Sequence, residues 1–566
     1  MTRASKPASR FGDEAVEHPQ LAADLLVRCL ESEGVEYVFG IPGEETLDVS
    51  EALDRSSQIT FIPTRHEQGA AFMANAWGRL TGKPGVCLAT LGPGATNLAT
   101  GIADANLDHS PVVAFTGQVN LSGMYKETHQ FIDTVEMMRP MTKWNARVHD
   151  PRMISEAVRK AFSVAVAEKP GATHLELPAG VMASPVAGRC LQRAPVAVTE
   201  PDTVALKRAA ELLQHARRPV LLVGNGVVRQ GASPALRHFC GETGLHVIST
   251  FMGKGVIDSA DEHFLFTAGL GAQNYPAGFF GTVDLVVAVG YDLVEWAPSA
   301  WNPAGDLKII CVDTMTPEID AHFVPEIELI GDISLTLGEL SRLLRGKRLE
   351  HYSVPPYKKA FDVVLDIGAD DDAPIKPQRV LRDLRAAMGA QDVLISDVGA
   401  HKLWVARFWE ATEPNTVLIS NGFAAMGFAL PAAVAASLAS RGRHKVAAIC
   451  GDGGFLMNVQ ELETARRLAL PFVVLVWVDG GYGLIEMHQM RRYGRISGTR
   501  FGNPDFVALA SAFGVEGVRV SNAGELPAVL QRAFAADGPV VVEIPIDYTE
   551  NEKLGIDLWR LAPDVA

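Results

Sequence analysis

Val446-Ala447-Ala448-Ile449-Cys450-Gly451-Asp452-Gly453-Gly454-Phe455 is the stretch on which the fold of this chain turns. Residues 446–450 are an unbroken apolar run and predict a buried strand. The glycines end it, residues 455–468 predict a helix, and residues 472–478 predict a second buried strand that stops at Asp479. If the two strands are parallel neighbours, Asp452 and Asp479 both stand at carboxyl ends, where open α/β sheets bind ligands. Two carboxylates beside glycine amides and a helix N-terminus suit a divalent metal that holds a diphosphate. The amides and the helix dipole meet phosphate oxygens, while the hard oxygen ligands meet Mg2+. The same residues also make a plain glycine-rich turn with two surface acids, and the motif alone leaves both readings open.

Outward from that unit, helical and strand patterns alternate along nearly the whole chain. This predicts an α/β protein with three doubly wound parallel-sheet domains, at about 15–185, 200–345 and 376–566. Pro- and Ala-containing residues 184–199 read as one linker. Residues 350–377, with Pro355-Pro356 and Asp370-Asp371-Asp372, read as another. The first and last segments match in size and pattern without an obvious sequence repeat. A length of 566 residues allows a core for each domain.

Composition excludes some classes of function. Lys+Arg 51 against Asp+Glu 66 gives a net charge of −15, and no basic run or aromatic-basic stripe offers a footprint for nucleic acid. No apolar run approaches the ~18 residues of a membrane span. Residues 1–19 carry Arg3, Lys6 and Arg10 but no hydrophobic segment of a secretory signal, so a disordered start and a cytoplasmic protein are expected. Cys29, Cys87, Cys190, Cys240, Cys311 and Cys450 form no C-x-x-C pair and predict free, mostly buried thiols in a reducing compartment.

The first segment carries its own candidate chemistry in Arg65-His66-Glu67-Gln68. Glu67 falls between a short strand (60–63) and a small-residue helix (69–80). It either complements that helix's dipole or is an acid in a pocket walled by Ala70, Ala71, Phe72 and Met73, where burial would raise its proton affinity. Thr90-Leu91-Gly92-Pro93-Gly94-Ala95-Thr96-Asn97 and Gly117-Gln118 follow. Glycines at 92 and 94 either let the backbone approach a ligand or make a tight turn.

Together these pieces resemble the thiamine-diphosphate-dependent enzymes, and most closely the acetolactate synthase large-subunit group. The resemblance runs from about residue 21 to 558. It rests on motifs in order: Phe39-Gly40-Ile41-Pro42-Gly43, Arg65-His66-Glu67-Gln68, Gly92-Pro93-Gly94, Gly117-Gln118, Val398-Gly399-Ala400-His401, residues 422–431 and residues 451–458, with Asp479 completing the cofactor motif. The resemblance implies that the first domain holds the aminopyrimidine ring, that the last holds the diphosphate, and that the middle one is Rossmann-like. It implies a homodimer or homotetramer with sites at the dimer interface.

By the same resemblance, Glu67 is the catalytic glutamate that hydrogen-bonds the pyrimidine nitrogen, so that the exocyclic amine can take the thiazolium C2 proton. Met426 wedges under the cofactor and the Ala424 carbonyl accepts from the amine. Asp452, Asp479 and the Gly481 carbonyl hold Mg2+. His401 neighbours the diphosphate. Gly92, Gly399, Ala400, Gly451, Gly453, Gly454, Tyr482 and Gly483 complete the cofactor contacts.

Gly43, Glu44, Gln118, Gln130, Met487 and His488 are the implied substrate pocket. The implied reaction decarboxylates pyruvate and joins the hydroxyethyl unit to a second 2-oxo acid. A decarboxylase, lyase or oxidase acting on another 2-oxo or 2-hydroxyacyl substrate is the alternative. Several departures bear on the subclass. Asp479, residues 477–482 and Thr128-His129-Gln130 are similar to catabolic, acetoin-pathway members. Gly290-Tyr291-Asp292 lacks the arginine with which biosynthetic members contact FAD, which weighs against FAD even though Gly224-Asn225-Gly226 could form a nucleotide turn. Glu44 and Glu45 put carboxylates near the pocket, where one facing inward would repel pyruvate. Residues 548–558 are expected to form a lid.

Overall fold

Apolar runs covered on both faces become parallel strands, because each strand can then bury alternate side chains against helices on opposite sides. The computed structural model describes residues 20–193, 198–269, 277–347, 349, 364–367 and 372–555. It contains three six-stranded parallel sheets flanked by helices. The chain divides into two compact units, Met1–Val196 and Ala197–Ala566, and the second and third sheets share the latter. Among the described residues no helix is long and apolar enough to cross a membrane.

The first unit holds β1 (Tyr37–Gly40), β2 (Thr60–Pro63), β3 (Gly85–Ala89), β4 (Val112–Gln118), β5 (Trp144–Arg147) and β6 (Ala172–Pro178), in the spatial order β2-β1-β3-β4-β6-β5. Helices α1 (Ala22–Ser32), α2 (Glu67–Thr81) and α3 (Pro93–Leu107) cover it. His66 caps α2: its Nδ1 accepts the Gln68 N–H at 3.1 Å, and Gly82 ends the helix in the left-handed region at φ 68°. Small residues let α2 and α3 approach closely. A Cβ on Gly101 of α3 would stand 2.4 Å from that of Ala71. Leu26, Val38, Phe115, Phe162 and Leu175 lie in the core on the opposite face of the sheet.

In the second unit, β7 (Pro219–Val223), β8 (His246–Thr250), β9 (Phe264–Ala268), β10 (Leu285–Val289), β11 (Lys308–Asp313) and β12 (Ile327–Ile330) lie in the order β9-β8-β7-β10-β11-β12, the doubly wound order of dinucleotide-type sheets. The third sheet holds β13 (Val393–Ser396), β14 (Val417–Ile419), β15 (Val446–Gly451), β16 (Val473–Val478), β17 (Glu516–Arg519) and β18 (Val540–Pro545), ordered β14-β13-β15-β16-β18-β17. Strand for strand, it repeats the topology of the first sheet. One apolar cluster runs through both sheets of this unit, from Val220 and Trp296 through Trp404 to Ile449, Trp477 and Ile544. Each large side chain buried there contributes about 2–3 kcal/mol.

Strand positions follow the sequence expectations to within two residues, but the helix after Gly451 does not. The expected single helix over 455–468 is two, α5 (Asp452–Met457) and α6 (Glu461–Arg467), with α4 (Ala400–Phe408) before them and α7 (Gly483–Tyr493) after. Asn458 breaks the run at φ −136° because its buried amide donates to the Gly427 carbonyl at 2.9 Å. The expected first linker also contributes structure, since Pro185–Val186 pairs antiparallel with Gln20–Leu21. The expected disordered start (1–19) and most of the second linker, including Asp370 and Asp371, lie outside the described residues.

Candidate functional site

In the third sheet the strand order reverses at β13 and β15, and this switch point opens a crevice at the carboxyl ends of the strands. β15 delivers Gly451 and Asp452 there, β16 delivers Asp479, and β13 runs into Asp397. Asp452 is buried, and its carboxylate is held by several donors. Oδ1 accepts the Gly453 N–H at 2.7 Å. Oδ2 accepts from the Gly480 N–H at 2.8 Å, the Asp479 N–H at 3.2 Å and Asn503 Nδ2 at 2.8 Å. Asp479 is less enclosed. Burial pushes its carboxyl up to about 7, the Asp452 charge adds to the shift, and Arg500 opposes it. Arg500 donates to the Asp479 carbonyl at 2.8 Å and to Glu486 at 2.6 Å. Two like charges with one held near neutrality mark a place that a cation would relieve.

A cavity of about 110 Å³ lies against these acids. Its lining includes Gly399, Ala400, His401, Met426, Gly451, Asp452, Gly453, Gly454, Asp479, Gly481, Tyr482 and Gly483, together with Tyr548. Every cofactor residue expected in the third segment is there except Ala424. That residue sits in the left-handed region at φ 54°, a strained backbone for a non-glycine. His401 is buried with Nε2 lacking a hydrogen-bond partner, and burial pulls its imidazole down to about 3, so the ring is neutral. The ring lies flush with Gly451, where a Cβ would stand 3.1 Å from Cε1. An orphaned ring nitrogen, a cradle of glycines and a carboxylate pair fit a diphosphate with a hard cation. Among the described residues no third His, Cys, Asp or Glu joins the pair.

A second cavity, of about 740 Å³, is lined by Asp479, Gly483, Met487, Arg500 and Tyr548. His488, expected beside Met487, is exposed on α7 and does not line it. Of the expected lid, Tyr548–Gly555 is a 3-10 helix fastened down within the second unit. Trp404 Nε1 donates to Asn551 at 2.8 Å, Arg407 donates to the Leu554 carbonyl, and Leu554 is buried. Residues 556–558 lie outside the described residues.

In the first unit, Glu67 is buried at the start of α2. Its Oε2 accepts from Asn97 Nδ2 of α3 at 2.9 Å, and its Oε1 would stand 3.3 Å from a Cβ on Gly94. Gly92 has φ 49°, and a Cβ there would meet the Gln130 carbonyl at 2.5 Å, so the turn has no room for a side chain. Gln130 is exposed and itself left-handed (φ 56°). Gln118 is fully buried and turned into the protein, donating to Glu176 at 2.8 Å and to the Ile132 carbonyl at 3.0 Å. Gly43 has no room for a side chain, because its Cβ would meet that of Thr90 at 2.4 Å. Glu44 points to solvent, whereas Glu45 turns inward and accepts from Thr90 Oγ1 at 2.9 Å.

Sequence reasoning missed several participants. Asp397, fully buried, accepts the Gly427 N–H at 2.9 Å and so fixes the loop that carries Ala424 and Met426. Burial raises its carboxyl to about 6. Its only local signal was an acid closing a strand just before Val398-Gly399. Asn503 and Arg500 gave no local signal.

Comparison with known proteins agrees with this geometry. Residues 21–137 match the thiamine pyrophosphate enzyme N-terminal TPP binding domain, 206–340 the central domain and 397–544 the C-terminal TPP binding domain. The chain belongs to the thiamine pyrophosphate enzymes. It is 38% identical to acetolactate synthase of Bacillus subtilis (strain 168), over 94% of this chain and 95% of that protein. It is 37% identical to the catabolic acetolactate synthase of Raoultella terrigena, over 94% and 96%, and 33% identical to the large subunit from Corynebacterium glutamicum, over 95% and 88%. Within the class, it is a member of the acetolactate synthase family.

Proposed function

We propose that the protein is an acetolactate synthase, a carboligase that decarboxylates pyruvate and joins the two-carbon unit to a second 2-oxo acid. One observation carries this reading. The crevice of the third sheet gathers the glycine cradle, the unpartnered His401 nitrogen and the Asp452–Asp479 pair around one cavity, in a chain that matches an acetolactate synthase over 94% of its length. Thiamine diphosphate, when bound, supplies the electron sink for the carbanion chemistry.

The chain's own residues would do the rest. Asp452 and Asp479, with the Gly481 carbonyl, would hold Mg2+, and diphosphate and water oxygens would complete its shell. The amides at Gly451–Gly454 and the start of α5 would orient the diphosphate. Glu67 would hold a proton at the pyrimidine ring nitrogen, with Asn97 fixing the carboxylate's rotation. Met426 would set the cofactor's bend from the loop that Asp397 anchors. The proposed domain limits are 15–185, 200–345 and 376–566. The proposed assembly is a homodimer or homotetramer in which pyrimidine and diphosphate halves come from different copies. The proposed setting is the cytoplasm, in an acetoin or branched-chain amino acid route.

A flavin-independent central domain is supported by Glu295. This buried carboxylate accepts the Asn225 N–H at 3.0 Å and so occupies the amide that a nucleotide phosphate would need. The absorbance spectrum of the purified protein tests this, since a flavin band at about one per chain would overturn it. Glu45 favours a second reading. An inward carboxylate disfavours an anionic acceptor. The enzyme would then release an aldehyde or pass its two-carbon unit to a neutral carbonyl. Mass analysis of products from pyruvate with thiamine diphosphate and Mg2+ separates the two, as acetolactate supports the first and acetaldehyde or a neutral ketol supports the second.

A further inference from the structure

Cys29 and Cys190 lie 161 positions apart in sequence, yet the fold of the first unit sets their sulfurs 3.6 Å apart. Cys29 sits on the buried face of α1, where its Sγ–H donates to Cys190 Sγ and lies 3.8 Å from Ser155 Oγ. Cys190 follows the Pro185–Val186 pairing in an irregular, half-buried segment. All six cysteines are free, and Cys190 is the only one not fully buried. A small oxidant therefore reaches this pair at Cys190 before any other thiol.

We propose that Cys29 and Cys190 are a peroxide-reactive dithiol, which closes to an intramolecular disulfide that ties α1 to the segment leading out of the first unit. Bond formation needs the sulfurs to close by about 1.5 Å. Cys29 is held by its helix, while Cys190 lies outside regular structure and can follow by rotation of its side chain. Exposure assigns the order of events, since Cys190 is half-buried and Cys29 is buried. The hydrogen bond from Cys29, aided by the Arg28 charge, also favours the Cys190 thiolate, while that same bond and burial push the Cys29 thiol up.

The Cys190 thiolate attacks hydrogen peroxide, the O–O bond breaks, and hydroxide leaves the new sulfenic acid. The Cys29 thiol then attacks that sulfur, an S–S bond replaces the S–O bond, and water leaves. The two thiols are oxidised by two electrons and the peroxide is reduced to two waters. The closed loop removes freedom from the unfolded chain, so the oxidised protein should be the more stable form.

The test treats the reduced full-length protein with a small excess of hydrogen peroxide. The expected result is a chain about 2 Da lighter, one cross-linked peptide pair containing Cys29 and Cys190, four thiols still open to alkylation after denaturation, and reversal by dithiothreitol. The melting temperature should rise by about 5 °C. Cys190→Ser, at a half-buried position, should abolish the mass change and the melting shift together. Cys29→Ala should instead leave Cys190 as a trappable sulfenic acid. Six alkylatable thiols in treated wild type, over-oxidised Cys190 without a cross-link, or a cross-link between two chains would each overturn the proposal.

Discussion

Asp452 and Asp479 stand at neighbouring strand ends, and the second is held near neutrality by burial and by the first. Asp479→Asn removes that conflict. The variant should melt higher than wild type without metal and bind Mg2+ at least about 10-fold more weakly. Calorimetry of the metal-free and titrated protein checks both halves, and loss of stability without metal would contradict the placement. Glu67→Gln should cut turnover by about 10²–10⁴-fold while Mg2+-dependent binding of thiamine diphosphate survives. Equal turnover in steady-state assays would remove Glu67 from the chemistry.

His174 and His401 are both buried neutral, pulled down to about 3 by burial. The unfolded chain takes up their protons below about 6.5, so their contribution to stability is intact above that pH and is lost as pH falls toward 3. Asp397 and Glu295, raised to about 6 and about 7, titrate with the opposite sign. The readout is therefore the difference between wild type and His174→Gln, which should shrink on the order of 1 kcal/mol per pH unit below 6.5. Thermal melts across pH 4–8 measure it, and parallel curves would contradict it. Glu67, Asp452 and Asp479 were legible as candidates because each sits in a short local motif, the two aspartates beside glycines. Asp397 and Asn503 were not, because their partners lie 30 and 51 positions away and only the fold brings them together.

At the scale of elements, apolar runs told where strands would form, since burial on both faces leaves a continuous signature. Helix ends were harder to place. Residues 455–468 carry a helical pattern, but the bond from Asn458 to the Gly427 carbonyl outweighs the helix at that point. The break turns α5 into a short helix whose start faces the cavity. Asn458→Ala should therefore cost on the order of 1–3 kcal/mol, by leaving the Gly427 carbonyl without this donor. It should also weaken thiamine diphosphate binding by loosening the loop that carries Met426. Melting and cofactor titration on the same preparation would expose either half as wrong. Of the segment expected as a lid, Tyr548–Gly555 is a 3-10 helix. Asn551 and the Leu554 carbonyl accept from Trp404 and Arg407, and Tyr548 lines the cavity.

At the scale of the whole chain, three parallel sheets were expected and three are present, two of them with the same strand order. Alternation of patterns shows the class of each sheet. It does not show strand order, which depends on crossovers that a single sequence does not number. The two sheets with the repeated topology are those of the segments that match the N-terminal and C-terminal TPP binding domains. The acceptor is the least legible part of the function: Glu45 accepts from Thr90 in the first unit, while Glu44 and His488 are exposed in the single chain. The most direct test of the proposed carboligase activity is turnover of pyruvate by the purified protein with thiamine diphosphate and Mg2+, with the products identified by mass. The expected products are 2-acetolactate and carbon dioxide, dependent on both cofactors and absent in Glu67→Gln. Cofactor bound with no pyruvate consumed, or pyruvate converted only to acetaldehyde or acetate, would contradict that activity.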